Sequence, residues 1–409
     1  MSPSNKIAIL GGGASGLMAA LTAARAGADV TIYEKNNSVG KKILASGNGR
    51  CNIINTTASS EDYAGVDPFF TAYSLQQLPF EDFETFCHSI GLLLECKSDG
   101  RCYPLSNEAK SVLIAFKSAV SDAGVKILTE KKVTALTKEK KGFVVHCEDE
   151  KSIYDKVLIA TGSQAAPQLG ATNDGVRFAH SFGHEIIPQY PSLVQLHLNS
   201  KIHHKMAGVK TFAEVILAID GKTKAKVQGD ILFASYGISG LAILDISQSA
   251  SYALMNNQCV TVAINLLPHF DAQTLSVTLE KLFSCVPNRP LETVLSTLLP
   301  TKTIVHLCEE AAVNPSKAVS ALSKKEIQKL IDLIQNWKFE VNGTHGFKHA
   351  EVSGGGVATA QINNETMESK LLKGLYFAGE VLDIVGRRGG YNFNFAWASG
   401  MIAGKEMWK

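Results

Sequence analysis

The chain has 409 residues, of which 45% are apolar and 19% charged, so it has room for two or three domains and is not expected to be disordered. The formal net charge of +2 gives no global attraction to nucleic acids or membranes, although it leaves room for local basic patches. No signal-peptide pattern stands at the start and no apolar run reaches about 18 residues, so we expect a cytoplasmic protein without a membrane span.

The cysteine and histidine patterns argue against a metal site. None of the eight cysteines forms a C-x-x-C pair, and the eleven histidines do not cluster at the spacing of metal ligands. In a reducing compartment we expect most of the cysteines as buried free thiols. The adjacent histidines His203 and His204 are expected at the surface.

The first elements of the chain predict a βαβ unit. Lys6 to Leu10 has the composition of a short buried strand, and an Ala/Leu-rich helix follows from about Ala14 to Ala26. Gly27 lies where such a helix would end, and Asp29 to Tyr33 is typical of a second parallel strand. This pattern opens a doubly wound fold.

A glycine motif stands between the first strand and the helix. Gly11, Gly13 and Gly16 form G-x-G-x-x-G, in which the first glycine permits the turn, the second lets a pyrophosphate approach and the third lets the helix pack on the sheet. Glu34 ends the second strand 18 residues after Gly16, where a carboxylate accepts hydrogen bonds from ribose hydroxyls. Strand, turn, helix, strand and acid in this order predict a dinucleotide site.

Further predicted helices and strands follow, and the residue pattern changes after about residue 195. Helical patterns cover Phe80 to Ile90, Ala109 to Ala123, Leu275 to Leu299 and Ser316 to Trp337. Strand-like runs cover Val125 to Leu128, Lys132 to Leu136, Phe143 to Cys147, Ser152 to Tyr154 and Lys156 to Ala160. Alternating runs between Gln195 and Leu232 predict a small antiparallel sheet or barrel. Glycine-rich motifs like those near the N-terminus occur again from Glu351 onwards.

Several features favour FAD as the resident cofactor. The glycine motif stands near the N-terminus, Ala160-Thr161-Gly162 follows an apolar strand, and a late strand ends in Gly379-Glu380 with Asp383 behind it. Gly389-Gly390-Tyr391-Asn392 precedes a helical run from Phe393 to Met407, whose N–H groups would face the ring system. No second G-x-G-x-x-G follows a strand, and Gly354-Gly355-Gly356 has the wrong spacing, so we expect NAD(P)H only as a transient electron donor.

We therefore predict an α/β fold with a Rossmann-like FAD-binding domain of the two-dinucleotide type, an inserted β-barrel-like part and an inserted helical part. Residues 1–190 and 350–409 are assigned to the FAD-binding domain. Residues 191–265 and 336–349 are assigned to the inserted β domain, and residues 266–335 to the inserted helical domain.

Motifs spread over nearly the whole chain resemble those of the YhiN/BaiN-like flavoproteins, a family of NAD(P)/FAD-dependent oxidoreductases. They are Gly40-Lys-Lys-Ile-Leu-Ala-Ser-Gly-Asn-Gly-Arg-Cys-Asn52, Gly100-Arg-Cys-Tyr-Pro104, Ser235-Tyr-Gly-Ile-Ser-Gly240, Ala350-Glu-Val-Ser-Gly-Gly-Gly-Val357, Thr366-Met-Glu-Ser-Lys370 and the stretch from Gly379 to Asn392. The resemblance implies a FAD domain split between the two ends of the chain, with Ser46 to Asn52 wrapping the isoalloxazine.

The resemblance leaves the substrate open. It covers enzymes of steroid-type enones, of aminoacetone-like amines, and of a uridine in large-subunit ribosomal RNA that is reduced to dihydrouridine. This sequence departs from the family pattern at Leu241, where proline is usual, and at the basic pair Arg387-Arg388.

The candidate site residues follow from these motifs. The residues predicted to bind FAD are Gly11, Gly13, Ala14, Ser15, Gly16, Glu34, Lys35, Lys42, Ser46, Gly47, Asn48, Arg50, Cys51, Val133, Ala160, Thr161, Gly162, Gly379, Glu380, Asp383, Gly390, Tyr391 and Asn392. Cys51, Arg50 and Lys42 are also the predicted catalytic residues. Cys51 is a candidate proton donor or a small side chain that packs on the ring. Arg50 is expected to bind a flavin carbonyl or a substrate anion, or to form a structural salt bridge. Lys42 is expected to face either the flavin or solvent.

Three functions remain as alternatives. The first is reduction of an activated C=C bond in a small molecule, with NAD(P)H as the electron source. The second is reduction of uridine in ribosomal RNA, for which the lysines between Gln195 and Gly229 would bind phosphates: six lysines against two acids give a local charge of +4. The third is a flavin-binding sensor without turnover. The sequence does not decide the oligomeric state.

Overall fold

The computed structural model describes residues 5–148 and 150–409. The described chain divides into two compact units, one formed by the chain up to Tyr190 together with Val352–Lys409, and the other by Pro191–Glu351. The predicted boundaries near residues 190 and 350 lie beside this division. Both the predicted β insertion and the predicted helical insertion fall in the second unit, and the three-part division stays a prediction.

The first unit contains the parallel sheet. Its strands are β1 (Lys6–Leu10), β2 (Asp29–Tyr33), β3 (Ile54–Asn55), β4 (Tyr63–Ala64), β5 (Leu94–Cys96), β6 (Arg101–Pro104), β7 (Lys126–Leu128), β8 (Ala135–Glu139), β9 (Gly142–Cys147), β10 (Glu150–Tyr154), β11 (Lys156–Ile159) and β12 (Ile186–Ser192), which ends beyond the boundary. The central sheet has the order β20-β11-β1-β2-β7, where β20 is Leu375–Phe377. All four pairings in it are parallel, as expected of a doubly wound fold.

Smaller sheets and helices complete this unit. The sheets are β10-β9-β8, β3-β6-β5, β21-β4 and β12-β19, with β19 at Val352–Val357 and β21 at Val385–Gly386. The helices are α1 (Ala14–Arg25), α2 (Lys41–Ala45), α3 (Thr71–Gln77), α4 (Phe80–Ser89), α5 (Ala109–Asp122), α6 (Asp174–Ser181) and, at the C-terminal end, α13 (Tyr391–Trp408).

Helices α1 and α13 pack closely because α13 carries two glycines at the contact. A Cβ added at Gly400 would collide with the main chain of Ser15, and one added at Gly404 would collide with that of Ala19. The N-terminal turn of α1 is therefore held against α13, and Trp397 of α13 stacks on Phe116 with 4.8 Å between the ring centroids.

The second unit is built on a closed barrel. Its strands are β13 (Leu196–Leu198), β14 (Lys210–Ile219), β15 (Lys222–Ala234), β16 (Gly237–Ser239), β17 (Val260–Asn265) and β18 (Trp337–Thr344), in the order β13-β16-β15-β14-β17-β18. Strands β14 and β15 are joined by the two-residue turn Asp220-Gly221, in which both residues have positive φ, as a tight hairpin requires. The helices are α7 (Ile202–Lys205), α8 (Leu241–Met255), α9 (Ala272–Cys285), α10 (Leu291–Leu295), α11 (Thr301–Ala311) and α12 (Lys324–Asn336).

The structure confirms the predicted fold class and corrects several element bounds. Strands Lys6–Leu10 and Asp29–Tyr33 begin and end as predicted. The strand expected at Lys132 to Leu136 begins instead at Ala135, and the helical pattern from Ser316 starts only at Lys324, after the N-cap Ser323. The short helices α2, α3, α6 and α7 and the longer helices α8 and α11 were not predicted. None of the described helices is long and apolar enough to span a membrane.

Candidate flavin-binding site

The glycine turn after β1 has the shape of a pyrophosphate site. Gly11 has a φ of 107° and a Cβ there would meet the carbonyl of Ala160, so only glycine fits between the strand ends. A Cβ at Gly16 would collide with the carbonyl oxygen of Gly11. Gly13 differs, because a Cβ placed on it would meet no described atom within 4 Å. This open space lies at the N-terminus of α1, where N–H groups attract an anion.

Glu34 braces the glycine turn as well as closing β2. Its Oε2 accepts a hydrogen bond from Gly12 N at 3.0 Å, and its Oε1 accepts from the main-chain and side-chain nitrogens of Asn36, both at 2.8 Å. The residue is only 8% exposed. The carboxylate is thus fixed at the carboxyl ends of β1 and β2, where ribose hydroxyls are expected.

The segment from Ser46 to Asn52 has an unusual backbone. Gly47, Asn48, Gly49 and Cys51 all have positive φ, between 55° and 82°. Such a run is costly for residues other than glycine, and costs of this kind concentrate at ligand sites. Ser46 starts the turn by donating its hydroxyl to the carbonyl of Ile43 at 2.7 Å and accepting the N–H of Cys51 on its own carbonyl.

Lys42 and Glu380 form an ion pair between segments that are far apart in the chain. Lys42 Nζ lies 2.6 Å from Glu380 Oε2. Glu380 Oε1 accepts hydrogen bonds from Ser163 Oγ at 2.8 Å and from Ser353 N at 2.9 Å. The carboxylate therefore joins α2, the turn after β11 and β19. Ser163 and Ser353 were not predicted as site residues, although the Gly354-Gly355-Gly356 run beside Ser353 is visible in the sequence.

The N-terminus of α13 is tied to β3 by paired asparagines. Asn394 Oδ1 accepts the N–H of Asn55 at 2.7 Å, and Asn394 Nδ2 donates to the carbonyl of Asn55 at 3.2 Å. Asn55 Nδ2 in turn donates to the carbonyl of Gly389 at 2.9 Å. The first turn of α13 is thus held next to the segment that follows Asn52, and these two asparagines were not predicted.

Residues 5–406 of the chain match a family model described as the HI0933-like protein Rossmann domain. The chain belongs to this family. It is 34% identical to the 3-dehydro-bile acid delta(4,6)-reductase of Clostridium scindens over 98% of both chains. It is 33% identical to the ribosomal RNA dihydrouridine synthase of Haemophilus influenzae over 98% of this chain and 97% of the other.

A solved structure supports the fold. The 3-ketosteroid delta1-dehydrogenase from Sterolibacterium denitrificans has a TM-score of 0.53 at 12% identity and covers 99% of this chain and 100% of its own, a likeness that shows the fold alone. The predicted resemblance and fold class are confirmed. The chain is a flavin-dependent oxidoreductase with a nucleotide-binding Rossmann fold.

The described residues fit FAD on two further observations. Asn52 Oδ1 is buried and has no hydrogen-bond partner among the described residues. Buried acceptors are normally paired, so this oxygen at the end of the Ser46–Asn52 segment would accept a hydrogen bond from the cofactor. The open space at Gly13 would receive the pyrophosphate. The glycine turn, Glu34, the Ser46–Asn52 segment and the start of α13 would then hold the cofactor, and they all belong to the first unit.

Other predicted FAD contacts have partners within the protein. Asn392 accepts the N–H of Gly386 and donates back to its carbonyl, so its side chain braces the turn before α13. Asp383 is 2% exposed and accepts the N–H of Val66 at 2.8 Å, and burial raises its pKa. Lys35 donates to Thr172 at 3.1 Å, and burial lowers its pKa. Val133 is buried.

The remaining candidates lie in turns around the site. Ser15 donates its hydroxyl to the carbonyl of Ala378 at 3.3 Å, close to Gly379. Gly162, Gly379 and Gly390 have positive φ. Tyr391 accepts the hydroxyl of Tyr63 on its carbonyl. Ala14 is the first residue of α1, and Ala160 and Thr161 follow β11. Their contacts with FAD stay predictions.

The predicted catalytic residues Cys51 and Arg50 lie in different environments. Cys51 has 0% exposure, and burial raises the pKa of its thiol to about 12. Its side chain is covered on all sides by other residues of the protein, which argues against proton donation and also against direct packing on the flavin ring. The Arg50 guanidinium is exposed and lies over the ring of Tyr103, 5.4 Å from its centroid, where it is available to an anion.

Histidines of the second unit form a cluster that the sequence did not reveal. His197 Nε2 lies 2.9 Å from His345 Nδ1. The His345 ring stacks on Tyr236 with 4.0 Å between the centroids and lies tilted against His349 with 4.1 Å between the centroids. The expectation of a surface position is wrong for His203, which is 1% exposed. Among the described residues no set of three or more acidic, histidine or cysteine side chains is arranged for a metal ion.

The predicted basic patch is partly neutralised. Lys205 pairs with Glu309 at 2.5 Å, Lys210 with Asp230 at 2.8 Å and Lys226 with Glu214 at 3.1 Å. Arg387 pairs with Asp62 at 3.1 Å. Lys201, Lys222 and Lys224 are exposed, and no ion pair to them is seen within the described part of the chain.

Proposed function

We propose that the chain reduces an activated carbon–carbon double bond in a small organic molecule and takes its electrons from NAD(P)H. The observation that carries this proposal is the 34% identity with a delta(4,6)-reductase of a 3-dehydro-bile acid over 98% of both chains. In that substrate class a carbonyl group activates the double bond. The two-electron chemistry would be supplied by FAD when it is bound.

The protein's own residues would position the reactants and provide polar groups. The glycine turn and Glu34 would hold the nucleotide half of the cofactor, and the Ser46–Asn52 segment and the start of α13 would hold its ring. Arg50 would bind a substrate anion or a ring carbonyl, since its guanidinium is exposed above Tyr103.

A dedicated nicotinamide site is not expected. The chain has one G-x-G-x-x-G motif after a strand, and the described Gly354-Gly355-Gly356 run lies in β19 beside Glu380. We therefore expect NAD(P)H to reduce the protein slowly and to saturate only at high concentration. Stopped-flow reduction that saturates at micromolar NADPH with a fast limiting rate would contradict this part of the proposal.

An anaerobic assay tests the reductase activity. Purified yellow protein would be incubated with NADH or NADPH and a panel of 4-en-3-one and 4,6-dien-3-one compounds, and products would be followed by mass spectrometry. We expect products with two more hydrogen atoms, and none with the Gly13→Leu variant described below. Protein that is reduced by NAD(P)H but converts no member of the panel would contradict the small-molecule proposal.

Ribosomal RNA is the second candidate substrate. It is favoured by the 33% identity with a ribosomal RNA dihydrouridine synthase and by exposed Lys201, Lys222 and Lys224. The ion pairs of Lys205, Lys210 and Lys226 weaken it, because a paired lysine has less charge to offer a phosphate. A uridine would also have to leave its stack, at a cost of a few kcal/mol.

The two candidates differ in the dependence of RNA binding on salt. If RNA is the substrate, Lys222, Lys224 and Lys226 changed together to Ala should weaken RNA binding and flatten the log–log salt slope by roughly 0.7–0.9 per lost phosphate contact. Replacement of the exposed Lys324, Lys325 and Lys329 of α12 is the matched control. Equal RNA affinity of all three proteins would favour the small-molecule substrate.

A further inference from the structure

A cross-strand disulfide lies in the small sheet β3-β6-β5 of the first unit. Cys96 at the end of β5 and Cys102 in β6 are register partners, with their Cα atoms 4.0 Å apart, and their side chains are joined. Only the five residues from Lys97 to Arg101 separate them in the chain. This pair was not predicted, because only the register of β5 and β6 brings the two cysteines together.

The disulfide adds little to a hairpin that is already held by hydrogen bonds. Lys97 N donates to the carbonyl of Arg101 at 2.9 Å, Gly100 N to that of Lys97 at 3.0 Å, and Leu105 N to that of Leu93 at 2.8 Å. A crosslink restricts the unfolded chain less when it closes a short loop, and the two cysteines are only six residues apart. A role as a structural staple is therefore the weaker explanation.

The two sulfur-bearing residues differ in access. Cys96 is exposed, whereas Cys102 has 0% exposure. Of the two residues, only Cys96 is therefore open to a small thiol from solvent. Exposed disulfides are the ones that exchange readily with thiols. The buried free thiols contrast with this pair, because burial raises the pKa of Cys51 and Cys87 to about 12 and disfavours their thiolates.

Strand β6 connects this pair to the candidate flavin site. Cys102 is the register partner of Ile54 in β3, and its carbonyl accepts the N–H of Ile53 at 2.9 Å, directly after the Ser46–Asn52 segment. On either side of Cys102, the Arg101 side chain lies beside Gly389, and the Tyr103 ring lies under Arg50. A change at Cys102 therefore reaches both segments that would hold the flavin ring.

We propose that Cys96 and Cys102 are a second redox site, a dithiol–disulfide pair that exchanges with low-molecular-weight thiols and adjusts the β5–β6 hairpin beside the flavin site. A thiolate attacks the sulfur of Cys96, the bond to Cys102 breaks, and Cys102 takes up a proton. A second thiol then attacks the mixed disulfide and releases the Cys96 thiol with a small-molecule disulfide. Two thiols have supplied two electrons, and an excess of the small disulfide reverses the sequence.

Thiol trapping tests the exchange without any need for turnover. The holoprotein would be equilibrated with mixtures of reduced and oxidised glutathione, quenched with iodoacetamide, and analysed by peptide mass spectrometry. We expect the joined fraction of Cys96 and Cys102 to follow the glutathione ratio. Cys96→Ser should abolish the crosslink, and Cys285→Ser, which removes an exposed free thiol in the second unit, should leave it unchanged. A pair that stays joined, or stays reduced, at every ratio would overturn the proposal.

Flavin fluorescence tests the connection to the cofactor site, and this part rests on the site assigned above. We expect the emission of bound flavin to differ between the oxidised and reduced forms of the wild type and to be constant in Cys96→Ser. A crosslink that responds to glutathione without any change in emission would refute the coupling. A failure of the enone assay would leave both readouts intact, so the two proposals fail separately.

Discussion

At the scale of single residues, Gly13 gives the clearest test of the cofactor position. Its φ of −82° suits any residue, and a Cβ there meets no described atom within 4 Å, so a side chain should not disturb the protein itself. We expect Gly13→Leu to be colourless but folded, because leucine would fill the space that the pyrophosphate needs. Absorbance at the flavin band and the circular dichroism spectrum would measure the two effects.

The control for Gly13 lies three residues further on. Gly16→Ala should lose both flavin and stability, because a Cβ there collides with the carbonyl oxygen of Gly11 whether or not a cofactor is bound. The contrast separates loss of a ligand from loss of the fold. A Gly13→Leu protein that carries a full complement of FAD would place the nucleotide elsewhere.

Cys51 is the residue whose chemistry depends most on its burial. Because its thiol has 0% exposure, we expect Cys51→Ala to lose flavin affinity and thermal stability while kcat per bound flavin changes less than tenfold. A proton donor would behave differently, since removal of a general acid costs roughly 10²–10⁴ in rate. Cys87→Ala is the matched control, because Cys87 is also a fully buried thiol with its pKa raised to about 12.

At the scale of elements, the paired hydrogen bonds between Asn55 of β3 and Asn394 of α13, called the clamp here, should contribute measurably to stability. Asn394→Ala would leave the buried N–H and carbonyl of Asn55 without partners, at a cost of about 1–3 kcal/mol. Asn394→Asp would keep the acceptor for the N–H but would set a buried carboxylate oxygen against the carbonyl of Asn55, so it should cost at least as much at neutral pH. Urea denaturation of the three proteins gives these differences. Equal stability of Asn394→Ala and the wild type would mean that water replaces the clamp.

The sequence predicted elements well where their signals are local. A buried apolar run, a glycine turn and a helix stop follow one another between Lys6 and Gly27, so β1 and α1 were located almost to the residue. The clamp and the Glu380 contacts could not be predicted in this way. Asn55 and Asn394 are 339 positions apart and Ser163 and Glu380 are 217 apart, so only the folded sheets bring them together.

At the scale of the whole molecule, buried thiols in both units should make stability depend on alkaline pH. Burial raises the pKa of Cys51 and Cys87 in the first unit to about 12, and that of Cys308 in the second to about 11. Unfolded thiols ionise near pH 8.5, so above this pH the unfolded chain binds fewer protons than the folded one. The contribution of these thiols to the free energy of unfolding is therefore fully present below about pH 8.5 and is lost as the pH rises towards 11–12.

The slope between pH 9 and 10 tests this explanation. Each of the three thiols should lower the free energy of unfolding by up to about 1.4 kcal/mol per pH unit in this window. Lys35 and Lys156 act in the opposite direction, because burial lowers their pKa, but both are partly exposed and their effect is smaller. Urea denaturation in a constant excess of reductant would measure the slope. We expect Cys87→Ala to reduce the slope by less than a third, because burial also raises the pKa of the Cys147 thiol and of the Tyr154 hydroxyl, which act in the same direction. Exposed Cys285→Ala should leave it unchanged. The same slope in all three proteins would show that the buried thiols do not cause the loss.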